Sequence, residues 1–140
     1  MSHSHSTAIA GHRYHDAHGA IEWLVRVFGF ERHAVYEAPN GSIAHAQLTL
    51  GNGMIMLGSA RDDAYGKRFK TPRELDGVET RSQYILVADA DAAFARATAA
   101  GAEVVRALYD TAYDSREFTV RDPEGYTWTA GTYDPWASQA

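Results

Sequence analysis

The sequence predicts an α+β fold: two tandem βαβββ modules that build a cupped mixed sheet, with the helices on its convex face. Three observations carry this expectation. A helical pattern opened by Asp and closed by Gly-x-Glu occurs twice, so that Glu31 and Glu103 fall at matching positions. A short extended segment precedes each helix, and three extended segments follow it.

The first strand is read in "TAIAGHRY", residues 7–14. Asp16 then opens a helix, because Ile21, Leu24, Val25 and Phe28 fall at the i, i+3, i+4, i+7 spacing of one helical face. Asp16 is an N-cap residue type and Gly29 supplies the stop. Three strands follow, "RHAVYEA", "SIAHAQLTL" and "GMIMLGS", the last two joined by the turn "GNG". The second copy starts with "SQYILVA", residues 82–88, and Asp89 or Asp91 opens a helix that Gly101 ends. Its strands are "AEVVRAL", "REFTVRD" and "YTWTAGT", the last two joined by Asp122-Pro123-Glu124-Gly125. Residues 1–6 read as a disordered tail, 7–59 and 82–133 as the modules of a single domain, 60–81 as a polar linker or flap, and 134–140 as a second tail.

Composition narrows the function. A chain of 140 residues that is 45% apolar suits one compact domain. No apolar run approaches the roughly 20 residues of a membrane span, and the N-terminus lacks the basic and apolar regions of a secretory signal. The absence of cysteine excludes disulfides, thiolate metal sites and cysteine nucleophiles, and fits a cytoplasmic protein. A net charge of −5 disfavours nucleic acid as a partner. The sequence contains no G-x-S-x-G, P-loop, G-x-G-x-x-G or H-E-x-x-H motif.

Four segments, "RYHDAHGAIEWLVRVFGFE", "AHAQLTLGNGMIML", "VADADAAFARATAAGAEVV" and "REFTVRDPEGYTWTAGTY", lie in order on this duplicated frame. In them the chain resembles the vicinal oxygen chelate superfamily (glyoxalase/bleomycin resistance/dioxygenase) and, within it, the PhnB-like, glyoxalase-like branch. Metal-dependent members carry up to four ligands, one on each of four groove-facing strands. The resemblance sets these positions on Ile9, Gln47, Ser82 and Thr129, where the family would have His or Glu. Isoleucine donates nothing, hydroxyls are poor neutral ligands, and a glutamine amide brings no charge to offset a divalent cation. A slip of one residue in the fifth strand brings Gln83 into the groove instead of Ser82.

These substitutions imply a metal-free groove without a cofactor. Gln47, Ser82, Thr127 and Thr129 supply its hydrogen bonds, and Met54 or Met56 an apolar wall. Strand alternation sets Arg13, His45 and Tyr84 on the same face. Arg13 suits a carboxylate or phosphate, or stands solvated or salt-bridged, and Tyr84 suits stacking on or hydrogen-bonding a ligand, or plain packing. His45 is a groove-lining, hydrogen-bonding histidine or, in the alternative, a displaced metal ligand or a general acid or base. His12 falls on the helix side of its strand, and Trp23 and Trp128 are packing residues. The resulting expectation is a small-molecule binder, similar to the antibiotic-sequestering members, acting as a homodimer. The alternative is a lyase, isomerase or dioxygenase-like enzyme of the same superfamily, metal-dependent or using His45.

Overall fold

The computed structural model describes residues 5–137. In chain order it contains β1 (Ala10–Tyr14), α1 (Ala17–Phe28), β2 (Glu31–Glu37), β3 (Ile43–Leu50), β4 (Gly53–Ser59), β5 (Tyr84–Leu86), α2 (Ala90–Ala99), β6 (Glu103–Asp110), β7 (Arg116–Arg121) and β8 (Thr127–Gly131). The strands form two four-stranded mixed sheets, ordered β1-β4-β3-β2 and β5-β8-β7-β6. The first strand of each module runs parallel to the last, and the other pairs are antiparallel. The fold class is the one expected, with the sheet divided into two hydrogen-bonded ladders, one per module. Residues 1–4 of the expected N-terminal tail and 138–140 of the C-terminal tail lie outside the described residues.

Local chemistry accounts for the helix ends. Asp16 accepts a bond from the Gly19 N–H at 2.9 Å, and Gly29 closes α1 with φ of 83°, a left-handed conformation that glycine adopts without strain. Of the two aspartates that could open α2, Asp89 is the cap; it accepts from the Ala92 N–H at 3.0 Å, while Asp91 lies in the first turn and pairs with Arg116. The guanidinium of Arg96 donates to the carbonyls of Arg26 and Val25 at the end of α1. It thereby ties the helices together and adds a donor to carbonyls of the last turn of α1, where the Val25 carbonyl also accepts from the Gly29 N–H.

One continuous core lies between the helices and the inner sheet faces. Ile21, Trp23, Leu24 and Val27 of α1 meet Leu48 and Leu57 of the first sheet and Phe118, Val120 and Trp128 of the second. Phe28 bridges the modules, with its ring 6.4 Å from Phe118 and 6.3 Å from Trp128. A polar centre sits inside this apolar mass. The buried carboxylate of Asp122 accepts from the Tyr14 hydroxyl (2.7 Å), the Trp128 indole (3.1 Å) and the backbone N–H groups of Glu124 and Tyr126. Burial pushes the Asp122 carboxyl above the ordinary carboxylate range, and these four donors oppose it. Because Tyr14 ends β1 and Asp122 opens the turn after β7, this cluster joins the two modules.

The linker is a docked strap. Glu79 accepts from both the N–H (3.1 Å) and the hydroxyl (2.7 Å) of Thr127. Arg81 donates to His12 Nε2 at 2.7 Å, and the Arg73 N–H to the Glu124 carbonyl at 3.2 Å. Glu124 in turn accepts from the N–H groups of His15 and Asp16, where α1 begins.

Candidate functional site

Strand alternation divides the side chains of each sheet. His12, Ala46, Leu57 and Trp128 turn inward to the helices and are buried. Arg13, His45, Gln47, Met56, Thr127 and Thr129, each one position out of phase, lie on the opposite, open face and are only partly covered.

A cavity of about 360 Å³ opens on the first sheet. It is lined by Arg13, His45 and Met56 together with Tyr65 and Phe69 from the strap. The guanidinium of Arg13 lies 5.9 Å from the Tyr65 ring centre and 5.5 Å from that of Phe69, within cation–π range. Gly58 makes room for it, since a Cβ there would fall 3.0 Å from Arg13 Nη1 and 3.1 Å from the Ala44 carbonyl oxygen. Among the described residues, no carboxylate forms an ion pair with Arg13. His45 stacks on Tyr36 across the ladder, with ring centres 6.2 Å apart, and bonds to the Gln47 amide at 3.1 Å. A second cavity, of about 240 Å³, shares Gly11, Arg13 and Phe69 and adds Lys70, Val78 and Arg81. Among the described residues, Arg81 is bonded to neutral acceptors: His12, the Gly11 carbonyl and Gln83. Burial first, and then the nearby Arg81 charge, lower the His12 pKa to about 3, so that ring is neutral.

The cavity thus brings together Arg13, His45 and Met56, with Gln47 beside them as the ladder partner of Met56. The other expected residues stand elsewhere. Thr129 pairs with Tyr84 in the second sheet, and its hydroxyl is bonded to Thr119 at 2.8 Å. Thr127 is held by Glu79, the Tyr84 hydroxyl donates to the Tyr133 carbonyl at 2.8 Å, and Ser82 lies exposed just before β5. Ile9 lies exposed just before β1. Sequence reasoning missed Tyr65, Phe69, Lys70 and Arg81. The available signal was two aromatics and several cations in a linker long enough to fold back over a sheet.

The residues at the positions implied by resemblance do not fit a transition metal. None of Ile9, Gln47, Ser82 and Thr129 carries an imidazole or carboxylate, and Gln47 and Thr129 are engaged with neighbouring side chains. Among the described residues, no group of three or more His, Cys, Asp or Glu side chains is placed to hold a metal ion.

Residues 9–130 match the family model described as the Glyoxalase/Bleomycin resistance protein/Dioxygenase superfamily. The chain belongs to this superfamily. Among its relatives are an uncharacterised Mycobacterium bovis protein, 34% identical over 83% of this chain and 76% of its own length, and a Mycobacterium tuberculosis protein, 34% identical over 83% and 68%. Among solved structures, TioX from Micromonospora sp. ML1 is 32% identical, with a TM-score of 0.69 over 90% of this chain and 97% of that one. A mutant of the fosfomycin resistance protein FosX from Listeria monocytogenes, complexed with Mn(II) and dihydroxypropylphosphonic acid, has a TM-score of 0.67 over 93% and 91%. Its identity is 10%, so that superfamily likeness is one of fold alone.

Proposed function

We propose that this chain is a metal-free binder of a small organic molecule, in the PhnB-like, glyoxalase-like branch of the superfamily, with the ligand seated against Arg13, His45 and Met56. The observation that carries the reading is the state of Arg13: a guanidinium at a cavity wall, beside two aromatic rings, with no carboxylate partner among the described residues. A carboxylate or similar anionic group on a ligand completes such a cation, and Met56, Tyr65 and Phe69 suit an apolar or aromatic body. Lys70 and Arg81, in the adjoining cavity, outnumber its one carboxylate, Glu79, which is bonded to Thr127, and favour the same sign of ligand charge. The superfamily description, which includes bleomycin resistance proteins, is consistent with binding.

Catalysis by His45 is the second reading. The Gln47 amide donates to His45 Nε2, occupying the lone pair that a general base needs free, and this favours binding. We place the protein in the cytoplasm, in keeping with its lack of cysteine. We also propose a homodimer. Val35, Tyr36, Val104 and Val105 are exposed on β2 and β6, each at one edge of its sheet, and such edges call for cover.

The test is a native mass-spectrometry screen of untagged protein against small organic acids and antibiotics, followed by calorimetry of the hits in EDTA. Micromolar binding, about −8 kcal/mol, that persists without metal supports the proposal. Turnover of a hit, lost in a His45→Ala variant, supports the enzyme reading instead.

A further inference from the structure

We infer that the open face of the second sheet carries a separate site for an organic ammonium group, centred on Glu117. This inference is independent of the reading of the Arg13 cavity.

Glu117 is 5% exposed although it lies on the open face of β7, beside Thr119 and across from Gly131. Burying an ionised carboxylate is costly unless hydrogen bonds and an opposite charge compensate. The hydrogen bonds are present: Oε1 accepts from the Tyr109 hydroxyl (3.3 Å), and Oε2 from those of Tyr113 (3.2 Å) and Ser115 (2.9 Å). A carboxylate offers about four acceptor sites, so these three donors leave one open, on Oε1.

The opposite charge is missing. The cations closest in sequence are committed elsewhere: Arg116 to Asp91 and Asp110, and Arg121 to Glu103. Among the described residues Glu117 belongs to no ion pair.

The surroundings are those a cation prefers. Tyr84, Tyr113 and Tyr133 are exposed, the last two in edge contact with ring centres 5.6 Å apart. The Tyr84 hydroxyl comes close to the carboxylate, since a Cβ built at Gly131 would fall 2.8 Å from that hydroxyl and 2.6 Å from Glu117 Cγ. Gly131 is therefore required for the Glu117 side chain and the Tyr84 hydroxyl to come together on this face. Aromatic faces attract cations, and the Arg106 guanidinium already occupies one, 3.6 Å from the centre of the Tyr109 ring. A protonated amine supplies what Glu117 itself has not got among the described residues: an ion-pair partner, with an N–H donor for the free acceptor site on Oε1.

The probe is phenylethylammonium, compared with the uncharged 2-phenylethanol and the anionic phenylacetate. Each is titrated into the full chain while backbone amide NMR shifts are followed. We expect saturable shifts for the ammonium at Tyr113, Glu117 and Gly131, with neither comparison compound saturating at the same concentrations. Glu117→Gln should weaken the ammonium roughly tenfold or more, the size of effect seen for hydrogen bonds to charged groups. Equal binding of 2-phenylethanol, shifts confined to other residues, or unchanged affinity in a folded Glu117→Gln variant would each overturn the inference. Should that variant not fold, the comparison of the three probes on the wild-type chain decides it alone.

Discussion

Glu117 stands in the second sheet where His45 stands in the first. The ladders establish the equivalence. The row His12–Leu57–Ala46 of one sheet matches Ile85–Ala130–Phe118 of the other, and one step back from Ala46 and Phe118 lie His45 and Glu117. Each is paired with a tyrosine on the neighbouring edge strand, Tyr36 and Tyr109. Gly58 and Gly131 correspond in the same way, each leaving room for a side chain on the open face. Two copies of one scaffold thus present faces of opposite chemistry, imidazole and guanidinium on one, a buried carboxylate on the other.

The Tyr14–Asp122 bond gives a prediction about cohesion between the modules. Tyr14→Phe removes one hydrogen bond to a buried carboxylate and little volume, so it should cost about 1.5–3 kcal/mol. Urea unfolding measures this, and a loss below about 0.5 kcal/mol would show that the remaining donors satisfy Asp122 unaided.

His12 predicts acid sensitivity. Its folded pKa is lowered to about 3 from 6.5, so between these values the unfolded chain binds the extra proton. Stability from this residue is complete above the unfolded pKa and is lost as pH falls through the window. At about pH 5 the loss relative to about pH 8 is roughly 2 kcal/mol. Asp122, whose folded pKa is raised, acts with the opposite sign, its contribution declining as pH rises above the ordinary aspartate value of 3.8. Denaturant midpoints across this range for wild type and His12→Phe separate the two, because the variant should lose the steep fall between about pH 6.5 and pH 4.

The strap predicts a coupling between Glu79 and Thr127. Glu79→Ala leaves the Thr127 N–H and hydroxyl to water and should cost about 1–2 kcal/mol, with faster amide exchange in the strap. Exchange unchanged over residues 60–81 would show that Arg81 and Arg73 hold the strap without it.

The homodimer is tested by sedimentation at tens of micromolar. A stable monomer there would remove it.

Much of this architecture was legible in the chain. The i, i+3, i+4 spacing between Asp16 and Gly29 fixed α1, and strict alternation in β3, β4 and β8 set His45, Gln47, Met56 and Thr129 on one face, because the side-chain period of a strand is two. The strap was not legible. Its anchors are single polar contacts, Glu79 to Thr127 and Arg81 to His12, between residues 48 and 69 positions apart, and such contacts leave no periodicity. Glu117 was passed over for a related reason. Its position on the open face follows from alternation, but its burial depends on tyrosines from β5, β6 and the turn after β6, whose convergence only the fold reveals.

The central claim is that a ligand binds beside Arg13 without a metal. Its most direct test is calorimetric titration, in EDTA, of an organic acid identified by the screen, into wild type and the Arg13→Ala and Gln47→Leu variants. Binding should persist in EDTA, weaken about tenfold or more in Arg13→Ala, and lose roughly 1–3 kcal/mol in Gln47→Leu, with circular dichroism unchanged. Affinity that requires stoichiometric metal, or that is the same in all three folded proteins, would contradict it.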